Sequence, residues 1–215
     1  EMTSSLVGSE MCIRDRGGGT GGRGRGGHWK GGSAVISLGL LELNSIARGV
    51  EAGDAMLKAA EVTLLKAGSV CPGKYTVVIS GEVAAVKAAM DAGRALARDC
   101  LVDDLTIASL EPQVIPAIAG CAQTRGVQAL GVMEFYSIAA SVVGADAAAK
   151  AADVRLLEVR LGLGIGGKSY VSLSGEVAAV QAAVDAGIAE AKAKGLLVST
   201  CVIPSPREEI FDSML

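Results

Sequence analysis

The chain has 215 residues, enough for one domain of about 200 residues or two of about 100. Hydrophobic residues make up 50%, and 20 Lys+Arg against 23 Asp+Glu leave a net charge of -3, which excludes a strongly basic nucleic-acid binder or a polybasic membrane-surface protein. The 3% of aromatic residues and the single histidine, His28, argue against a stacking surface for single-stranded nucleic acid, triad catalysis and a zinc site with two histidines.

The cysteines are scattered and include no Cys-x-x-Cys pair, which argues against a disulfide framework and favours a reducing compartment. The chain has no long uncharged apolar run, and its first residues lack the pattern of a secretory signal. We therefore expect a cytoplasmic protein that binds neither membranes nor nucleic acid. Three of the cysteines, Cys100, Cys121 and Cys201, are expected to be buried packing residues.

Residues 1–33 differ from the rest of the chain. Ten of the sixteen residues 17–32 are glycine, which makes backbone ordering costly, and the preceding stretch resembles a translated sequencing adapter. The two Arg-Gly steps there allow an RNA-binding segment as an alternative. We expect residues 1–33, with Cys12 and His28, to be a disordered Gly-rich leader that is not native.

The remainder of the chain contains one sequence unit twice. Residues 38–47 match residues 130–139 at an offset of 92, and residues 80–86 are identical to residues 174–180 at an offset of 94. A repeat of this length indicates two structural units of the same fold.

Each copy begins with an apolar strand, followed by an alanine-rich helix, two β-rich runs joined by a Gly-containing loop, a second helix and a last strand. The Ser-Gly-Glu before the second helix is expected to supply a capping residue and an acid in the first turn. The elements are expected at 35–43, 46–60, 62–65, 75–80, 82–97 and 105–110, and in the second copy at 129–135, 138–152, 154–159, 170–174, 176–193 and 196–203.

The order β-α-β-β-α-β is the ferredoxin-like plan of α+β proteins. We therefore predict two tandem, non-permuted ferredoxin-like domains over residues 34–111 and 127–207. Pro112 and Pro116 are expected to break regular structure in a linker, 112–126, and residues 208–215 are expected to form a C-terminal tail.

Residues 162–169 match the phosphate-binding pattern G-x-x-x-x-G-K-[ST]. Such a loop must open directly into a helix whose N-terminal amides hold the phosphate. Because residues 170–174 read as a strand, a tight β-β loop is the favoured interpretation. A nucleotide-binding enzyme that uses Lys168 is an alternative of another class.

Cys71 differs from the other cysteines because Pro72 and Gly73 hold it in a turn between two strands of the first copy. The second copy has Ile165 at the equivalent position, so each chain has one thiol at these two loops. A single thiol cannot hold a metal cluster, but a threefold assembly would bring three together, and thiolates are the usual ligands of iron–sulfur clusters. An inert thiol is the alternative.

Lys58 and Lys150 occupy equivalent positions on the first helix of each copy. Isolated lysines usually lie on a solvated helix face. Their repetition in a segment otherwise rich in alanine suggests an edge contact.

These blocks resemble the bacterial microcompartment shell domain. Two in tandem, without permutation, resemble the trimeric tandem-domain shell proteins, including the iron–sulfur-bearing ones of propanediol-utilisation compartments. The resemblance covers about residues 34–210, and the run 71–74, Cys-Pro-Gly-Lys, is its most specific motif. Further matches lie at 45–47, 51–58, 101–103, 164–168 and 195–198.

The resemblance implies a non-enzymatic homotrimer that imitates a hexagon and tiles with other proteins into a microcompartment shell. It implies that Cys71 of three chains binds one [4Fe-4S] cluster per trimer, with one iron lacking a protein cysteine. We expect such a cluster to move electrons across the shell or to supply cluster components, and we expect encapsulated redox enzymes among the partners. The resemblance also implies that Lys58 and Lys150 pack across tile edges. The implied pore-lining residues are Ser69, Val70, Pro72, Gly73, Gly164, Ile165, Gly166 and Gly167.

One departure concerns the tile edge: residues 204–206 read Pro-Ser-Pro, where family members often have Pro-Arg-Pro with a docking arginine, and Arg207 is displaced. This departure weakens the expectation of edge docking. Doubling the unit lets alternate loops around an axis differ, one with a thiol and one with glycines that allow close backbone approach. A metabolite pore without a cluster is the alternative within the same structural class.

Overall fold

The computed structural model describes residues 36–120 and 128–212. Each copy of the repeat folds into a four-stranded antiparallel sheet with helices, in the orders β2-β3-β1-β4 and β6-β7-β5-β8. The first copy contains β1 (Ser37–Leu43), α1 (Ile46–Ala59), β2 (Thr63–Val70), β3 (Lys74–Gly81), α2 (Val83–Ala97), a 3-10 turn (Arg98–Cys100) and β4 (Leu101–Ile107). The second contains β5 (Ala129–Phe135), α4 (Ile138–Ala151), β6 (Val154–Leu161), β7 (Ser169–Gly175), α5 (Val177–Ala193) and β8 (Leu197–Ile203).

The two sheets repeat each other in register as well as in order. Leu43 pairs with Leu101 after an irregularity in β1, and Phe135 pairs with Leu197 after the same irregularity in β5. The predicted tandem, non-permuted α+β fold of ferredoxin-like domains is confirmed. The strands of each copy lie within the predicted bounds 34–111 and 127–207.

The first helix of each copy begins at a serine cap. Ser45 Oγ accepts a hydrogen bond from Arg48 N at 3.4 Å, and Ser137 Oγ accepts one from Ala140 N at 3.2 Å. The capping predicted for the second helices is wrong, because Glu82 stands at the N-cap of α2 without a side-chain cap. The serine of that motif is still within β3, paired with β1.

One hydrophobic core is shared by the two copies, and the first copy has another core of its own. Leu41 and Leu43 of β1 pack with the helices of the first copy, whereas Leu38 and Leu40 point to the other face of the same sheet. That other face joins the core of the second copy. Because β1 is buried on both faces, the sequence there is a nearly continuous apolar run.

The predicted linker 112–126 is not irregular throughout. Residues Val114–Ile118 form the short helix α3, with Val114 and Ala117 fully buried against the second copy. Pro116 lies within its first turn, where a missing N–H costs nothing, so the expected break is absent. The leader 1–33 and Cys121 lie outside the described residues.

Within the predicted tail 208–215, Glu208–Asp212 form the helix α6. Among the helices that the structure describes, none has the length and hydropathy needed to cross a membrane.

Candidate functional site

The β2–β3 loop and the β6–β7 loop touch each other. The amide of Cys71 donates a hydrogen bond to the carbonyl of Gly162 at 3.2 Å. A Cβ added at Gly167 would lie 3.0 Å from the Cys71 carbonyl oxygen and 3.1 Å from Cδ of Pro72. The two predicted pore segments are therefore neighbours, although they are about 90 residues apart in sequence.

The eight predicted pore residues lie at the ends of two hairpins. Ser69 and Val70 are the last residues of β2, while the other two of the first loop lie in the turn that follows. In the second loop, Gly164, Gly166 and Gly167 all have positive φ, between 66° and 81°. Glycine is needed there for backbone conformation, and within one chain only Gly167 of these three is closely packed.

Both loops close on a lysine that is tied to the central strand. Lys74 Nζ donates to Glu42 Oε1 at 2.9 Å, and Lys168 Nζ makes the equivalent contact with Glu134. Sequence reasoning missed these pairs. The signal was present in the sequence. Both loops keep Gly-Lys, at an offset of 94, and β1 and β5 keep the glutamate, at an offset of 92.

The favoured interpretation of residues 162–169 as a tight β-β loop is confirmed, since the segment joins β6 to β7, and the phosphate-loop alternative is wrong. Ser169 begins β7 instead of a helix, and its Oγ donates to the Ser137 carbonyl at 2.7 Å. Lys168 is paired with Glu134. The loop therefore lacks the helical amides and the free lysine that a phosphate requires.

Cys71 is half-buried in the turn between β2 and β3. Within the described part of one chain, no group of three or more His, Cys, Asp and Glu residues could hold a metal ion.

A charged cluster that sequence reasoning missed lies on β6 and β7. Tyr170 Oη donates to Glu158 Oε2 at 2.5 Å, Arg160 Nε donates to Glu158 Oε1 at 2.5 Å, and the guanidinium lies 5.8 Å from the tyrosine ring. Burial, together with the hydrogen bond to Glu158, raises the pKa of Tyr170 to about 12. Burial and the charge of Arg160 lower the pKa of Lys66 on β2. Glu158 and Arg160 are two residues apart on β6, so their side chains lie on the same face of the sheet. This spacing was the signal that the sequence offered for the cluster.

The two predicted tile-edge lysines have different surroundings. Lys58 Nζ pairs with Asp54 at 2.5 Å, and its side chain is 74% exposed. Lys150 Nζ pairs with Asp146 at 2.6 Å and also donates to the Ser109 carbonyl at 2.5 Å, a residue of the first copy. Lys150 therefore joins the two copies, whereas Lys58 faces solvent.

Two further cysteines were predicted to be buried. Cys100 is half-buried at the end of the 3-10 turn. Cys201 is exposed on β8, so the prediction is wrong for this residue.

Comparison with known proteins gives the family. The BMC domain matches residues 37–110 and 129–206. The chain is 45% identical over 179 residues to the bacterial microcompartment shell protein PduT of Citrobacter freundii, a match that covers 83% of this chain and 97% of that protein. It is 31% identical over 193 residues to the carboxysome assembly protein CcmO of Synechococcus elongatus, covering 83% of this chain and 68% of that protein.

A solved structure agrees with this assignment. A microcompartment protein from Desulfitobacterium hafniense DCB superposes with a TM-score of 0.80 at 50% identity, covering 82% of this chain and 98% of the other. The two matched domains coincide with the two sheets described above. The chain therefore belongs to the BMC-domain family and is a tandem-domain protein of the bacterial microcompartment shell.

Proposed function

We propose that this protein is a structural, non-catalytic shell tile that forms a pseudohexameric homotrimer with a central pore. Cys71 of the three chains holds one [4Fe-4S] cluster at that pore for electron transfer across the shell. Its partners are further copies of itself, other shell proteins and encapsulated redox enzymes. The observation that carries the trimer is a difference in burial between equivalent surfaces of the two copies.

Helix α4 of the second copy is covered by the first copy. Ile138 and Val142 on this helix are 1% and 0% exposed. Three residues of the cap and helix bond to the first copy, in the pairs Ser137–Asp103, Asp146–Glu111 and Lys150–Ser109.

The equivalent surface of the first copy is exposed to solvent. On α1, the counterparts Ile46 and Val50 are 48% and 53% exposed. β8, the counterpart of the strand that covers α4, is also exposed at its centre, residues 199–201. One chain thus carries a surface and its own complement at opposite ends, which is the requirement for head-to-tail association.

A head-to-tail contact closes into a ring if its rotation closes. Within the chain, the contact between copies brings the two β-β loops together at Cys71 and Gly162. A ring that repeats this contact collects all loops near one axis. Three chains supply six loops around that axis, and every second loop carries a Cys71 thiol.

The residues at the loop fit a cluster shared between chains. Each chain contributes one half-buried thiol in a turn, beside the backbone of Gly162 and Gly167, which adds no side-chain bulk. Three cysteine thiolates are suitable ligands for an iron–sulfur cluster, which supplies one-electron transfer when bound. The resemblance to iron–sulfur-bearing tandem shell proteins supports the same assignment.

Anaerobic purification, followed by native mass measurement and iron analysis, tests the proposal. We expect a trimer with about four irons per three chains and visible absorbance. Cys71→Ala should keep the trimer and lose the iron, while Val83→Ala, at an exposed position of α2, serves as a control that keeps both. Equal iron in Cys71→Ala contradicts the cluster site. An iron-free parent trimer leaves the metabolite pore as the function.

A further inference from the structure

A cleft of about 290 Å³ lies between the first and second copies of the repeat. Its lining includes Leu105, from β4 of the first copy, and Leu196, which precedes β8 in the second copy. Ser137 Oγ donates to Asp103 Oδ2 at 3.1 Å within this lining. Leu105 and Leu196 therefore line one space that spans the boundary between the copies.

Cys201 is the counterpart of Leu105 in the repeat. Leu105 pairs with Leu40 of β1, and Cys201 pairs with Val132 of β5. Leu40 and Val132 hold the same position in their strands, so the register fixes the equivalence. Cys201 is exposed because nothing in the described part of one chain covers β8 as the second copy covers β4.

Cys100 is the counterpart of Leu196. The carbonyl of Cys100 accepts a hydrogen bond from Asn44 N at 2.9 Å, and the carbonyl of Leu196 accepts one from Tyr136 N at 2.8 Å. These two contacts occupy the same place in the two copies. Each chain thus carries a cysteine at both positions whose counterparts line the cleft.

We propose that Cys201 of one protomer and Cys100 of the next line a common cleft at each protomer boundary and form a reversible disulfide that locks the ring. The inference rests on the proposed trimer, in which β8 takes against the next chain the place that β4 takes within the chain. Each trimer contains three such dithiol sites, at a different place in the fold from the Cys71 turn.

The proposed cleft at the protomer boundary favours a thiolate more than the cleft within the chain does. Asp103 and Asp104 line the cleft within the chain, and their counterparts by strand register are Ser199 and Thr200. Arg94 already neutralises Asp104 in an ion pair, so the replacement of Asp103 by a serine is the change that removes negative charge opposing a thiolate. A thiolate at this boundary is therefore repelled less by nearby carboxylate charge, which favours disulfide formation.

The oxidant is a small-molecule disulfide such as oxidised glutathione. The thiolate of one cysteine attacks a glutathione sulfur, which breaks the glutathione disulfide, forms a mixed disulfide and releases one glutathione thiolate. The second cysteine, deprotonated, attacks the protein sulfur of the mixed disulfide and releases the second glutathione. Two protein thiols are oxidised, one glutathione disulfide is reduced, and two protons end on the released glutathiones.

The test uses the full chain with Cys12, Cys71 and Cys121 replaced by serine. After native mass measurement, the protein is treated with oxidised glutathione and run on a denaturing gel without reductant. We expect covalent dimers and trimers that dithiothreitol returns to monomers. Cys100→Ser and Cys201→Ser should each give monomers only, and co-purified mixtures of the two variants should give dimers and no larger species.

The outcomes separate this inference from the proposed function. A native trimer that yields only monomers on the denaturing gel overturns the disulfide and leaves the trimer standing. Covalent dimers of Cys100→Ser alone show a contact between two Cys201 residues and also overturn it. A monomeric native mass overturns the proposed trimer and the disulfide together.

Discussion

Lys74 Nζ lies 2.9 Å from Glu42 Oε1, and the Glu42 side chain is only 3% exposed. This pair ties the residue that closes the thiol-bearing loop to the central strand of its sheet. The second copy repeats the arrangement with Lys168 and Glu134. The geometry of both loops thus depends on an ion pair that lies one residue beyond each turn.

Replacing Lys74 by methionine should destabilise the protein by about 2–3 kcal/mol, because it leaves the buried Glu42 carboxylate without its partner. The matched variant Lys168→Met should cost about 1 kcal/mol, since the Glu134 side chain is 32% exposed and water can replace the lysine. Urea unfolding followed by circular dichroism measures both changes. Equal losses in the two variants contradict the burial argument.

Replacing Val50 by glutamate should break the ring without unfolding the chain. Val50 is 53% exposed in one chain, but in the proposed ring it would take the buried position that Val142 occupies within the chain. An unpaired charge there should weaken association by about 3 kcal/mol per boundary, roughly a hundredfold, and native mass should show monomers.

The control for this variant is Val83→Glu on α2. Val83 and its counterpart Val177 are both exposed, at 42% and 46%, so neither lies at the contact between copies. Val83→Glu should therefore keep the trimer mass. Loss of the trimer in both variants would mean that added charge acts non-specifically.

The phenol of Tyr170 should ionise at a higher pH than a tyrosine in solution. Its pKa of about 12 in the folded protein exceeds the ordinary value of 10.0, so its contribution to stability is complete below pH 10 and is lost as the pH rises through 12. Ultraviolet titration of tyrosinate should show a late step near pH 12 that is absent in Tyr170→Phe.

Glu158→Gln tests the cause of that shift. It removes the negative charge that opposes tyrosinate but leaves the burial of Tyr170 in place. The late step should move down in pH without reaching the position of an ordinary tyrosine. A late step that stays unchanged would assign the shift to burial alone.

The order of elements was predictable because the repeat and the alanine-rich helices leave strong local patterns. The β-β hairpins were harder: β2 extends to Val70, whereas the sequence indicated an end near Leu65. Its outer half alternates weakly and is held by pairing with β3, a contact that local composition does not encode. The helix α3 was missed for a related reason, since its burial comes from the second copy.

The thiol-bearing turn was predictable as a distinct feature, but its surroundings were not. Cys71 contacts Gly162 only because the two copies pack together. The same packing decides that Cys201 is exposed while its counterpart Leu105 is covered. Burial in a repeat protein depends on which neighbour each copy has, and identical patterns in the two copies carry no information about that.

The packing of helices α4 and α5 shows a compensation within the repeat. A Cβ added at Gly144 would lie 2.8 Å from Cζ of Phe135 and 2.8 Å from the Gly187 carbonyl oxygen. The first copy has alanine, Ala52, at the equivalent helix position and the smaller Leu43 in place of the phenylalanine. The glycine of the second copy therefore accommodates a larger aromatic ring.

Gly144→Ala should consequently destabilise the protein by about 1–3 kcal/mol through overpacking, and Phe135→Leu by about 1 kcal/mol through a cavity. In the double variant the added methyl occupies space that the ring has left, so the combined loss should be smaller than the sum by about 1 kcal/mol. Relief stays partial because the Gly187 carbonyl also crowds the new Cβ. A double-mutant cycle by urea unfolding measures this coupling.

Gly53→Ala on α1 provides the control for this cycle. A Cβ there would meet only side-chain atoms of Val77, the nearest at 3.3 Å, so the gain in helix propensity should offset the contact. Combined with Phe135→Leu, it should be additive, because the two sites lie in different copies. If Gly144→Ala is also additive with Phe135→Leu, the crowding arises from the helix backbone and the ring has no part in it.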